Sequence, residues 1–364
     1  MILVVCLNPA LDVTHQVERV DWAGVNRPAA VYARPGGKGV NVARALHALG
    51  IEVSLTGLAG GPAGNGIEAG LRALGLRTAF MPIAGETRRT FTVVDASAAG
   101  AAALFNEAGP EVSGAEWDEF RAQYSRALAV AARSGSAAVV LSGSLPPGIP
   151  ADAYATLIAM AEAAGVPTLL DTSGAALRHG IAAGPHIVKP NRDELAALTA
   201  GETQDSGCLG TSECAQTSTI MAAAAIREAG ARSVVVSLGA DGLLAETPEG
   251  RWHARPHAAV AGNATGAGDA VVAALAHGLV SGRPWPDRLR HAVALGAATV
   301  ASPVAGEFAP ADYAAGLEAA TVRELTAAPR PAPRQPHSSC QPHSSCQPHS
   351  PRQTQSACQE REAR

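Results

Sequence analysis

One carboxylate in this chain stands where chemistry would need it. In "GNATGAGDAVVAAL", residues 262–275, Gly266, Ala267 and Gly268 precede Asp269 just where an apolar stretch begins. Ala, Val and Leu dominate from Ala270 to Leu275, with no breaker before Gly278, and this predicts a helix from about residue 268. The first turn of a helix leaves backbone N–H groups unpaired and carries the positive end of the helix dipole. Small residues let an anion approach those amides, so 266–268 form a candidate anion hole beside a carboxylate. Asp269 would serve equally well as a plain helix cap, and the stretch alone leaves both readings open.

Two further candidates stand out by residue type. Of 28 Lys plus Arg, only Lys38 and Lys189 are lysine. A chain that uses arginine for generic surface charge points to sites that need a compact ammonium where lysine persists. Lys38 lies in "RPGGKGVNVARAL", residues 34–46, where Gly36, Gly37 and Gly39 permit a tight turn into a helix that starts with Lys38 and Asn41. The spacing is not that of a Walker A loop, and no GxGxxG dinucleotide fingerprint is present. Lys189 lies in "HIVKPNRDEL", residues 186–195, where an apolar strand leads to Asn191 and Glu194. That pair reads either as a capping box or as a site that orders water around Mg2+. "SGSLPPGIP" (142–150) and "SLGADG" (237–242) follow apolar strands, and the small residues of the second would let a nucleotide pack on backbone. In "LNPALDVT", Asp12 falls just past the first strand, placed either to bind sugar hydroxyls or to make a turn.

The elements that must position these groups follow a simple rhythm. Apolar runs "ILVVCL", "VSLTGL", "AAVVLSG", "PTLLD", "HIVK" and "SVVVSL" alternate with predicted helices near 39–49, 64–75, 115–133, 152–164, 193–198, 219–229, 268–280 and 287–301. Strands alternating with helices imply an α/β fold, a mostly parallel sheet covered on both faces, with ligands at the carboxyl ends of its strands. Residues 12–35 and 78–108 lack helical periodicity and predict a small second sheet, a lid. The polar tract 200–219 reads as a surface loop. From Ala327 to Arg364 a "QPHSSC" repeat, nearly free of large apolar residues, predicts a disordered tail after a domain of residues 1–326.

Composition narrows the classes. Among the 364 residues 47% are hydrophobic and only 4% aromatic, and the formal net charge is −4. Neither nucleic acid nor an anionic membrane is an expected partner of such a chain. No run reaches the ~20 apolar residues that span a bilayer, and "MILVVCLNPALD" lacks a basic leader. The expectation is a soluble, cytoplasmic protein. Its six cysteines contain no CxxC pair and are read as reduced thiols.

Taken in order over about residues 1–322, these segments resemble the PfkB carbohydrate kinase family. "GGKGVNVA" is similar to the family's first signature and "NATGAGDA" to its second. "LNPALD", "GETR", "NEAGPEVS", "SGSLPPG", "KPNRDEL" and "SLGADG" are similar to its phosphofructokinase and tagatose-6-phosphate kinase branch. The resemblance implies a ribokinase-like three-layer α/β/α fold with a small β-sheet lid, through which a homodimer would form. It implies ATP-dependent phosphorylation of a ketohexose phosphate, foremost fructose 1-phosphate, with tagatose 6-phosphate and fructose 6-phosphate as close alternatives. By the same resemblance Asp269 is the base and the amides of Gly266, Ala267 and Gly268 form the anion hole. Asp12, Gly37 and Asn41 would hold the sugar, and Lys38, Arg88 and Ser144 its phosphate. Lys189, Asn191, Ser237, Gly239 and Gly242 would face ATP, with Glu194 organising Mg2+ through water. The intact "GAGD" speaks against a regulator that only binds sugar phosphate, and the absent GxGxxG against a dehydrogenase. One departure concerns specificity. The branch usually has an asparagine two positions after the arginine of "GETR" and a lysine two further on, where this chain has Thr90 and Thr92. Arg89 is the expected compensating cation.

Overall fold

The computed structural model describes residues 1–98, 101–199, 212–302, 304 and 306–325. The first half of the chain runs β1 (Ile2–Cys6), β2 (Ala10–Val17), β3 (Ala30–Gly36), α1 (Lys38–Ala48), β4 (Val53–Ala59), α2 (Gly61–Ala73), β5 (Arg77–Pro82), β6 (Arg89–Asp95), β7 (Ala101–Asn106) and α3 (Gly114–Arg133). It continues with β8 (Ala138–Ser142), α4 (Ala153–Ala163), β9 (Thr168–Asp171), α5 (Gly174–Ala182), β10 (Ile187–Val188), α6 (Arg192–Thr199), α7 (Ser212–Glu228) and β11 (Val234–Ser237). The remaining elements are β12 (Leu243–Glu246), β13 (Arg251–Arg255), α8 (Ala267–Val280), α9 (Trp285–Ala301), α10 (Pro310–Ala319) and β14 (Thr321–Glu324).

The large sheet has the order β14-β13-β12-β11-β10-β9-β8-β1-β4-β5. It is parallel from β5 through β11 and antiparallel beyond. Side-chain alternation sorts β1 between two cores. Ile2, Val4 and Cys6 pack with α1, α2, α8 and α9, while Leu3 and Val5 pack with α3, α4, α5 and α7. Strands covered on both faces explain why the six apolar runs were continuous rather than alternating. Those runs are β1, β4, β8, β9, β10 and β11, and the fold is the expected three-layer α/β/α arrangement.

The second sheet, β3-β2-β6-β7, comes from two separate excursions of the chain. β2 and β3 form an antiparallel pair, and β2 lies parallel to β6. The predicted lid tract 78–108 is therefore divided: Arg77–Pro82 joins the large sheet beside β4, and only the part from Arg89 belongs to the lid. Asp12 likewise lies inside β2 rather than in a turn. The tract 200–219 is not a loop throughout, since α7 already begins at Ser212. Thr219 there turns its hydroxyl back onto the carbonyl of Ala215 at 2.8 Å, which lets a polar residue sit in a helix. Residues 200–211 and the tail 327–364 lie outside the described residues. No described helix is long and apolar enough to cross a membrane.

Candidate active site

The chain leaves β1 towards β4 and β5 on one side and later fills β8 to β11 on the other. Loops after β1, β8, β9, β10 and β11 consequently open at one sheet edge, the usual ligand position in such a sheet. α8 begins at that edge. Its N-cap is Gly266, at φ 85°, a left-handed conformation that glycine adopts without strain, and no side chain caps this end. Asp269 is the third helical residue. It is not the cap: its Oδ2 accepts a 2.9 Å hydrogen bond from Asn41 Nδ2 of α1. The expected anion hole is narrower than its three residues suggested, because the Ala267 N–H already donates to the Ala264 carbonyl at 3.2 Å. The amides of Gly266 and Gly268 have no backbone partner among the described residues.

Asp269 is buried, and its pKa is pushed up to about 7 by burial and by the negative charge of Asp171. The Asn41 bond, Lys38 and Lys189 oppose that rise. A carboxylate poised near neutrality suits a general base. Asp171 itself, the last residue of β9, is 1% exposed and lies 3.1 Å from Lys189 Nζ and 3.6 Å from Lys38 Nζ. Both lysines of the protein thus meet at one acid. Burial would lower the Lys38 pKa, but Asp171, Glu194 and Asp269 outweigh it and leave it raised. A Cβ on Gly268 would lie 3.8 Å from Lys189 Nζ, which puts that ammonium beside the start of α8. Asp171 escaped the sequence reading, and its one visible signal is an acid closing the apolar run "PTLLD". Lys38, expected to hold the sugar's phosphate together with Arg88, stands 3.6 Å from Asp171 and feels the charge of Asp269.

The sugar-side candidates gather around β1 and the lid. Asn8, buried just past β1, donates through Nδ2 to the Ala108 carbonyl at 2.9 Å and to Ser144 Oγ at 3.1 Å. Arg88 Nε donates to the Asn8 carbonyl at 3.2 Å and Nη1 to that of Glu107 at 3.1 Å. Asn8 therefore links Arg88 to Ser144, a connection no motif announced. Asp12 accepts from Thr90 Oγ1 at 2.5 Å, and a Cβ on Gly36 would fall on its carboxylate. Gly37 is the N-cap of α1 at φ 93°, pressed against the backbone of Pro9 and Ala10.

Among the residues expected to face ATP, Asn191 and Glu194 form a reciprocal capping box at α6. Glu194 N–H donates to Asn191 Oδ1 at 2.7 Å, and Asn191 N–H to Glu194 Oε2 at 2.9 Å. Ser237 is tied in through its N–H to the Pro190 carbonyl, 3.0 Å. Gly239 faces open space at φ 64°. Gly242 has another reason to be glycine: a Cβ there would lie 2.0 Å from the Ala254 carbonyl oxygen of β13. Arg89, the expected compensating cation, is paired with Glu86 at 3.0 Å.

The comparison with known sequences decides the class. A model described as "pfkB family carbohydrate kinase" matches residues 1–312. The chain belongs to that family. Its PfkB neighbours include a 1-phosphofructokinase of Xanthomonas campestris pv. campestris, 37% identical over 282 residues, covering 76% of this chain and 84% of the relative. Among solved structures, Escherichia coli phosphofructokinase-2 in complex with potassium superposes with a TM-score of 0.78 at 29% identity, covering 87% of this chain and 98% of that one. The same enzyme with fructose-6-phosphate gives 0.75 at 29% identity and the same coverage. The protein is accordingly an ATP-dependent sugar kinase of the PfkB family, with the ribokinase-like fold.

Proposed function

We propose that the protein transfers the γ-phosphoryl group of ATP to the free primary hydroxyl of fructose 1-phosphate, giving fructose 1,6-bisphosphate. The observation that carries the reading is Asp269: buried, its pKa pushed up by that burial, and held by Asn41 at an uncapped helix start. Its carboxylate takes the hydroxyl proton as the oxygen–phosphorus bond forms and the bond to the β-phosphate oxygen breaks, releasing ADP. The free amides of Gly266 and Gly268, with Lys189 and Lys38, stabilise charge on the moving group, the main task in phosphoryl transfer. Asp12 binds sugar hydroxyls, and Arg88 with Ser144 holds the phosphate the sugar already carries. Gly239 and the 237–242 loop lie against the nucleotide.

The donor set fits Mg2+ held mainly by phosphates and water. Among the described residues no three His, Cys, Asp or Glu side chains cluster as a metal cage, and Glu194 Oε2 already accepts from Asn191. Glu194 Oε1 would hold one of the cation's waters. Bound there, the cation would neutralise phosphate charge. Val31, Tyr32, Leu104 and Phe105 expose apolar surface on β3 and β7, which supports a homodimer formed through the lid. Phosphorylation of fructose 6-phosphate is the second reading, favoured by the likeness to phosphofructokinase-2. A panel of fructose 1-phosphate, fructose 6-phosphate, tagatose 6-phosphate and fructose with Mg-ATP tests both. Highest kcat/KM for anything but fructose 1-phosphate overturns the first.

A further inference from the structure

The lid holds a cation that the proposed function has not used. Strand register places Arg34 of β3 and Thr90 of β6 directly opposite Asp12 of β2, so all three side chains share one face of the small sheet. Arg89, one residue along β6, belongs to the other face and is neutralised by Glu86. The Arg34 side chain is half-buried and makes no hydrogen bond and no ion pair among the described residues. Its charge acts on Asp12 and also on Arg44 of α1. Arg44 gives one nitrogen to Glu307 Oε1 at 2.8 Å, while its buried Nη1 has no partner. Arg88 acts on Asp12 as well, and two of its N–H groups are given to neutral carbonyls rather than to an acid.

Three guanidinium groups, those of Arg34, Arg88 and Arg44, therefore act on one carboxylate, and with Arg44 paired to Glu307 a surplus of positive charge remains beside the sugar site. We propose that Arg34 is a specificity-determining residue, the second cation that grips the phosphate already carried by the ketohexose. This rests on the substrate class proposed above. It takes the role expected of Arg89, and it explains how the lid can have threonine at both positions 90 and 92. Thr90 orients Asp12 through its 2.5 Å bond, and Arg34 brings the charge from the neighbouring strand.

The test uses the full chain with Arg34→Gln, Arg34→Lys and, as a control, Arg89→Gln. Arg34→Gln should raise KM for fructose 1-phosphate about tenfold or more, as loss of a charge-assisted bond to phosphate does. Its kcat, KM for ATP, melting temperature and kcat/KM for unphosphorylated fructose should stay near wild type. Arg34→Lys should recover part of the loss, and Arg89→Gln should behave as wild type. An unchanged KM in Arg34→Gln, an equal loss with fructose, or the same loss in Arg89→Gln overturns the assignment. Calorimetric titration with inorganic phosphate reads the subsite without turnover: weaker binding in Arg34→Gln than in wild type supports it, and equal binding overturns it. If wild type phosphorylates no ketohexose phosphate, the substrate reading fails by itself, and the titration still decides for or against Arg34.

Discussion

The starts of α6 and α8 face the same sheet edge and are finished in opposite ways. At α6, Asn191 and Glu194 exchange hydrogen bonds, as Ser113 and Glu116 do at α3. At α8, Gly266 offers no side chain, and Asp269 turns away from the helix towards Asn41. A closed box stabilises a helix by about 1 kcal/mol. An open end forgoes that gain but keeps amides and dipole available to an anion. Chemistry is thus expected where local stability has been given up.

The largest effect should come from the open end. Asp269→Asn keeps size and removes the base, and should lower kcat about 10²–10⁴-fold in steady-state assays with Mg-ATP. Turnover near wild type would make Asp269 a structural residue. Next comes Asp171→Asn, which leaves Lys189 buried without its counter-charge. Breaking such a pair costs on the order of 3 kcal/mol or more, readable as a lower denaturant midpoint. The same change should shift the acid limb of kcat/KM to lower pH, because Asp171 is one cause of the raised Asp269 pKa.

A smaller, pH-dependent effect follows from Asp269. Its folded pKa, about 7, is above the unfolded carboxylate value, so the folded protein binds the extra proton between roughly pH 4 and 7. This contribution to stability is fully present below pH 4 and is lost as pH rises through 7. Wild type should therefore lose stability relative to Asp269→Asn across that window, while its kcat/KM rises through about pH 7. Parallel melting curves for the two proteins would contradict the raised pKa.

The smallest effects separate the two closed boxes. Ser113→Ala should cost about 1 kcal/mol and leave kinetics alone. Asn191→Ala should cost a similar amount and also raise KM for ATP. If it is kinetically silent, α6 carries only a cap and no nucleotide contact.

Periodicity and punctuation made the parallel sheet legible, because buried strands must be continuously apolar and their helices must begin near glycine or a capping residue. Motifs that occupy one strand-to-helix turn, such as Gly37 to Asn41 or Gly266 to Asp269, were legible for the same reason: their geometry is local. What stayed hidden depends on partners distant in the chain. Asp171 looks like any strand end until Lys38 and Lys189 arrive from other loops. Gly242 answers to the Ala254 carbonyl across a strand pair, and Ala267 gives its amide to a turn that only the folded loop makes. β5 was assigned to the wrong sheet because a strand's residues do not say which edge it will join.

The pairing of both lysines with Asp171 has a practical consequence for labelling. Apart from its α-amino group, this protein has only two primary amines, and both stand where phosphoryl transfer is proposed. Lys189 is 4% exposed and Lys38 43%, so an acylating reagent used sparingly should mark the α-amino group and Lys38 while the rest of the surface, rich in arginine, stays silent. A ligand bound in the site should shield Lys38 from the reagent, so loss of label at Lys38 relative to the α-amino group would read occupancy with no engineered cysteine.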